Sequence, residues 1–165
     1  MGGGWMVPIR RRGFTLIELL IVMLIIGSVA AIAIPNMLAA RKNGNEAGAI
    51  GSLKAISTAQ RLFREGDKEG DGSYDYGSLS ELSTAGLIDG YLGAGTKQGY
   101  NFVTQASTSS QQFVFWATAD PAAQGSSGDK NFATNQAGVI YYTTTGVGIV
   151  PNVVTGAING ALPIQ

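Results

Sequence analysis

From Phe14 to Ile34 the chain runs for 21 residues with Glu18 as the only charged side chain. Coiled at about 1.5 Å per residue, such a run is about 30 Å long, the depth of a bilayer's hydrocarbon core. Nothing else constrains the chain so strongly, because a helix this apolar must be surrounded by lipid or by other chains. An ionisable residue inside such a span is costly, which makes Glu18 a functional-site candidate by default. Three arginines, Arg10, Arg11 and Arg12, stand immediately before Gly13 and the span. Basic residues flanking a span favour the cytoplasmic side, so the expected topology has the N-terminus inside and everything after Ile34 outside.

The residues Gly13, Phe14, Thr15, Leu16, Ile17, Glu18 and Leu19, with the basic run before them and Pro35 after, resemble the class III signal of type IV pilins and of the pseudopilins of type II secretion systems. The motif is specific, since it sets a charge, a small residue, an aromatic and a buried acid at given spacings. The resemblance is strong over residues 10 to about 65 and is one of layout beyond. It implies an α+β, pilin-like fold, in which a long kinked N-terminal helix with a membrane-spanning first half packs on a small antiparallel β-meander. It also implies that a prepilin peptidase cuts between Gly13 and Phe14 and N-methylates the new amine of Phe14. Glycine suits that position, because it lets a protease approach an extended backbone closely. The amine would pair with Glu18, four residues on along one helix face or in a neighbouring subunit, and so offset the cost of an isolated charge in lipid.

The partners so implied are further copies of the chain in a homopolymeric filament, the prepilin peptidase, an inner-membrane assembly platform and a cytoplasmic assembly ATPase. The implied location is the bacterial inner membrane as a single-pass protein, then a cell-surface pilus or a periplasmic pseudopilus. The implied function is that of a structural subunit of a type IV pilus-like filament, serving adhesion or motility, with the major pseudopilin of a type II secretion system as the alternative. No cofactor is implied.

Other readings compete for the same segment. An ordinary secretory signal would end at Ala31-Ile32-Ala33, which looks like a small-residue cleavage site, but Glu18 is awkward in its apolar region. A plain uncleaved anchor is a third reading. Glu18 near the helix start also has room simply to reach the membrane surface. Pro35 marks either a helix end or a bend within a longer helix.

Lys plus Arg equals Asp plus Glu, at 11 each; a chain beginning at Phe14 would carry 8 positive and 11 negative side chains. That balance has no nucleic-acid footprint. There is no Cys and no His, which excludes disulfides and removes the commonest general base and the commonest transition-metal ligands. A membrane-anchored hydrolase built on Ser and Asp would lack both a Gly-x-Ser-x-Gly elbow and a histidine base. The chain therefore does not read as an enzyme.

The expected organisation is a leader over 1–13, a transmembrane and assembly helix over 14–35, an amphipathic second half of the helix over 36–65, and a head over 66–165. In the second helical segment Ile50, Leu53, Ile56, Ala59 or Gln60, and Phe63 recur at spacings of three and four. Two ladders of small residues, Ala40-Gly44-Gly48-Ser52 and Ala47-Gly51-Ala55-Ala59, suit close helix approach to the chain's own sheet and to a neighbour. A poor helix unwound near Gly44 is the competing reading.

In the head, 66–98 reads as a loop with a short helix, 99–145 as an antiparallel sheet and 146–165 as an uncharged tail. Asp67, Glu69 and Asp71 before Gly72 partly match a calcium loop, but Ser78 stands where a bidentate Glu is required, so a solvated turn is the better reading. Ser78 to Gly86 predicts a short helix with a Ser78–Glu81 capping box. Strands are expected at Tyr100–Gln105, Gln112–Ala119 and Gly138–Thr145, with Asp120–Gln136 a polar loop. In the second strand Phe113, Phe115 and Ala117 are expected on one face. No charged residue follows Lys130, so the tail either packs across the sheet or meets another subunit. Tyr74, Tyr76 and Tyr91 offer a ligand-binding surface if they are exposed, against a simpler role in loop packing.

Overall fold

A computed structural model describes residues 13–68, 70 and 72–164. Arg10, Arg11, Arg12, Glu69 and Asp71, on which part of the leader and calcium expectations rest, lie outside the described residues. The elements run α1 (Leu16–Glu65), α2 (Leu79–Thr84), α3 (Gly90–Gly93), β1 (Thr96–Lys97), β2 (Tyr100–Ala106), β3 (Phe115–Pro121), β4 (Asn131–Asn135), β5 (Ile140–Thr143) and β6 (Leu162–Pro163). The chain divides into two compact units, Met1–Met37 and Leu38–Gln165, and α1 contributes to both.

In the first unit no large apolar side chain of α1 is buried among the described residues. Val22 is the least exposed of its large apolar side chains and is still 48 % exposed. The helix runs on through Pro35, so the proline is not a helix end. It removes the N–H that would bond the Ala31 carbonyl.

In the second unit α1 shows the expected stripe. Leu53, Ile56, Ala59, Gln60 and Phe63 are buried and Ile50 is half-buried. Gly44 lies inside regular helix, so no unwinding occurs there. The two small-residue ladders separate only in part. Gly48 approaches the Gln98 side chain so closely that an added Cβ would collide with it, and Ser52 is buried. Ala47, Gly51 and Ala55 are exposed, whereas Ala59 returns to the core.

The short helix forms as its local sequence directs. Ser78 and Glu81 make both bonds of the capping box. Gly86 (φ +71°) takes the left-handed position after the C-cap, with Gly86 N–H bonding the Ser83 carbonyl and Leu87 N–H the Leu82 carbonyl. Leu79 and Leu82 enter the core, with Leu87 and Ile88 against it.

The sheet is an antiparallel meander in the order β1-β2-β3-β4-β5-β6. It is wider than the three strands expected. The stretch expected as a polar loop contains β4, because Asn131–Asn135 is paired on both sides, by β3 and by β5. Tyr100, Phe102, Ala117, Ala119, Phe132 and Ile140 share one face by register and join the stripe of α1 in a single core. Phe113 does not. It precedes β3 and is 69 % exposed.

The opposite face is buried at β3 and β4, where Trp116, Thr118, Asn131, Ala133 and Asn135 have little exposure. The uncharged tail runs across it. Ser107 Oγ donates to the Val154 carbonyl and Asn135 Nδ2 to the Gly156 carbonyl, both at 2.9 Å. Ile149 and Pro151 are buried, and Leu162–Pro163 ends the tail as β6 on the β5 edge. The tail thus packs across the sheet, while Val147, Val150, Val153 and Val154 stay exposed on it.

Candidate functional site

The N-terminal motif begins in non-helical backbone. Gly13, Phe14 and Thr15 precede α1, and a Cβ built on Gly13 meets nothing within 4 Å. Thr15 is the helix cap, and its carbonyl accepts the first helical bond, from Leu19 N–H at 3.3 Å. Its hydroxyl accepts from Glu18 N–H at 3.2 Å. In return Glu18 Oε2 accepts from Thr15 N–H at 2.9 Å and from the Thr15 hydroxyl at 2.8 Å. This reciprocal pattern is a capping box, which satisfies donors that a helix start otherwise leaves orphaned. One side chain thus carries the only charge of the apolar stretch and also closes its first turn.

Thr15 had no separate role in the sequence reading. Its signal was present all the same: Thr-x-x-Glu opening an apolar run is the local signature of such a cap. Phe14, beside it, is 87 % exposed. Farther along, Ser28 Oγ bonds back to the Ile25 carbonyl at 2.9 Å, so this polar group is satisfied within the helix. By length and composition α1 is able to cross a membrane.

A second polar group ties the head to its part of α1. Glu46, buried, accepts from Asp129 N–H at 3.0 Å and pairs with Lys130 Nζ at 2.8 Å. Lys42 pairs with Asp129 at 3.0 Å, and Asn45 Nδ2 donates to the Ser127 carbonyl at 2.8 Å. Higher on the helix Gln60, fully buried, exchanges two bonds with the Gly77 backbone and reaches the Thr104 hydroxyl at 3.1 Å. These bonds tie the head to this part of α1.

The remaining candidates are dispersed. Asp67 accepts from Gly70 N–H and Gly72 N–H, the work of a turn. Among the described residues no three acidic, His or Cys side chains cluster to hold a metal. Tyr76 is buried with its ring centroid 4.7 Å from that of Phe115 and the Arg64 guanidinium 5.3 Å from its own. Tyr74 and Tyr91 are exposed.

Comparison with known proteins bears on the N-terminal part. Residues 9–34 match the prokaryotic N-terminal methylation motif. The chain is 47 % identical over 73 residues to a type IV major pilin of Myxococcus xanthus, a stretch covering 44 % of this chain and 33 % of that one. It is 47 % identical over 53 residues to a type IV wide pilus major component of Thermus thermophilus, 32 % of this chain and 40 % of that one. It is 29 % identical over 55 residues to a type II secretion system core protein G of Escherichia coli, 33 % of this chain and 38 % of that one. The chain thus spans well under half the length of each of these relatives. No solved structure matches it significantly. Where a methylation motif opens a long apolar helix, then, the chain is similar to type IV major pilins and to a type II secretion system core protein G, and that likeness is confined to its N-terminal part.

Proposed function

We propose that the chain is a structural, non-catalytic subunit of a type IV pilus-like filament. One observation carries the reading: among the described residues every large apolar side chain from Phe14 to Met37, in the motif and the helix it opens, is exposed. Lipid covers such a surface before assembly, and the helices of other copies cover it afterwards. The similarity to a major pilin over 73 residues supports the same reading.

In this scheme residues 1–13 are a leader, cut by a prepilin peptidase between Gly13 and Phe14, and the amine of Phe14 is methylated. Residues 14–35 hold the subunit in the inner membrane with its N-terminus in the cytoplasm and the head outside. Glu18 exchanges its Thr15 donors for the amine of Phe14, its own or a neighbour's, when subunits join. Pro35 is where the helix can bend, and 36–65 carries the head. A membrane platform and a cytoplasmic ATPase drive insertion. A second reading, the major pseudopilin of a type II secretion system, draws on the similarity to core protein G.

Mass spectrometry of the N-terminus of protein sheared from cells tests the proposal. A chain that starts at methylated Phe14 and is recovered in filaments supports it, and release only on breaking the outer membrane selects the pseudopilus. A chain starting at Ile34, or one still carrying Arg10 to Gly13 in the membrane fraction, overturns it.

A further inference from the structure

Asn-Gly occurs twice in the chain, at Asn43–Gly44 and at Asn159–Gly160, and the fold treats the two pairs differently. An asparagine followed by glycine is chemically labile, because a backbone nitrogen with no side chain beside it can reach the carboxamide carbon of the residue before it. The reaction needs that N–H free and the local backbone able to rotate. Gly44 lies inside regular α1, where its N–H belongs to the helix ladder and its backbone is fixed. Gly160 lies in the tail, outside any helix or strand. Among the described residues neither its N–H nor the Asn159 side chain makes a hydrogen bond, and both residues are exposed. A Cβ built on Gly160 meets nothing within 4 Å, so no neighbouring atom crowds it. The turn asparagines nearby are engaged instead: Asn135 donates to the Gly156 carbonyl and accepts from Ala137 N–H, and Asn152 accepts from Val154 N–H and Thr155 N–H. Neither of these is followed by glycine.

We propose that Asn159 is a self-modification site, at which the Gly160 nitrogen attacks the Asn159 carboxamide carbon. The bond from Gly160 N to Asn159 Cγ forms, the bond from Cγ to the amide nitrogen breaks, and ammonia leaves carrying the proton of Gly160 N–H. Water then opens the resulting succinimide at either carbonyl, giving aspartate or isoaspartate, with nothing oxidised or reduced. Either product places a carboxylate in a tail that has no charged side chain after Lys130 and that exposes Val147, Val150, Val153 and Val154. The isoaspartate also routes the backbone through the side chain and lengthens it by one methylene, just before the strand that closes the sheet. There Leu162 pairs with Tyr142, and Ile164 N–H bonds the Ile140 carbonyl at 2.8 Å. A chain that has stood for long thus differs from a new one by a charge on its neutral tail and by slack ahead of β6.

The second Asn-Gly pair supplies an internal control. Purified full-length chain in detergent is held in mildly alkaline buffer, folded or in denaturant, and sampled over time, with masses read on the peptides that contain Asn43 and Asn159. In the folded chain the Asn159 peptide is expected to gain one mass unit and to split into aspartate and isoaspartate forms, at a rate close to that in denaturant. The Asn43 peptide is expected to convert only in denaturant. Gly160→Ala should slow conversion at Asn159 several-fold, and reading it in denaturant as well removes any effect on the fold. An Asn159 peptide that keeps its mass in the folded chain while the denatured chain converts overturns the inference. So does conversion at Asn43 as fast as at Asn159 in the folded chain. Conversion of Gly160→Ala at the unsubstituted rate would assign the reaction to direct attack by water and overturn the role given to Gly160.

Discussion

Glu18 and Thr15 are joined by three hydrogen bonds, two accepted by the Glu18 carboxylate and one donated by its own N–H. The carboxylate is therefore not a bare charge in an apolar helix. Under the proposed filament reading, these local bonds are the ones a cationic amine would have to replace when subunits join.

Two substitutions separate the cap from the charge. Glu18→Gln keeps a capping-box side chain but removes the charge, whereas Glu18→Ala removes both. If charge pairing drives assembly, both variants insert normally and both fail to enter filaments. Quantifying each variant in membrane and sheared fractions checks this. Assembly of Glu18→Gln at the unsubstituted level would mean that the cap alone matters.

Gly13 precedes the helix in open backbone, and a protease acting there needs a close approach to the chain. Gly13→Leu should leave the leader attached, visible as a persistently heavier band and an intact mass for residues 1–165. Normal processing of that variant would remove the role given to Gly13.

Two glycines should respond with opposite signs. A Cβ on Gly77 would lie 2.8 Å from the buried Phe63 ring, so Gly77→Ala should destabilise the head by about 1–3 kcal/mol. Gly51 meets nothing within 4 Å on an exposed helix face, so Gly51→Ala should stabilise α1 by up to about 1 kcal/mol. Thermal unfolding of the full chain in detergent reports both.

The parts legible in the sequence were those set by local chemistry. Ser78, Glu81 and Gly86 bracket a helix because capping residues act within a few positions, and Leu53, Ile56 and Phe63 form a stripe because helical period is local. Strand β4 was not legible. Asn131–Asn135 is polar by composition and becomes a buried strand only because β3, β5 and the tail supply partners from elsewhere in the chain. Phe113 misled for the complementary reason: its alternation with Phe115 is real in the sequence, but pairing with β2 reaches only Ala106–Phe115, and Phe113 falls in the turn before it.

Gln60 is a further non-local element. Its amide accepts from Gly77 N–H at 3.0 Å and donates to the Gly77 carbonyl at 2.6 Å, both in buried surroundings. Gln60→Leu matches its size but leaves two backbone groups unpaired, each costing about 1–3 kcal/mol. The head should lose several degrees of melting temperature, with α1 still helical by circular dichroism. An unchanged melting temperature would show that water replaces the amide.

Asp89 gives the pH dependence. Its Oδ2 pairs with Lys97 Nζ at 2.7 Å, and its Oδ1 accepts from Tyr91 N–H and Leu92 N–H at the start of α3. The Lys97 bond foremost, with the backbone donors, holds its carboxyl below the usual carboxylate range. A depressed value in the folded state means the carboxylate stabilises the fold above its unfolded value of about 3.9, and that contribution is lost as pH falls through the folded value. Carbon-13 NMR of the Asp89 carboxyl in the detergent-solubilised chain should show titration below 3.9. Lys97→Met should move the midpoint upward without restoring it fully, because the α3 amides remain as donors. Added salt should act in the same direction, since the pair is exposed and screened. A midpoint unmoved by Lys97→Met would assign the whole depression to the helix start.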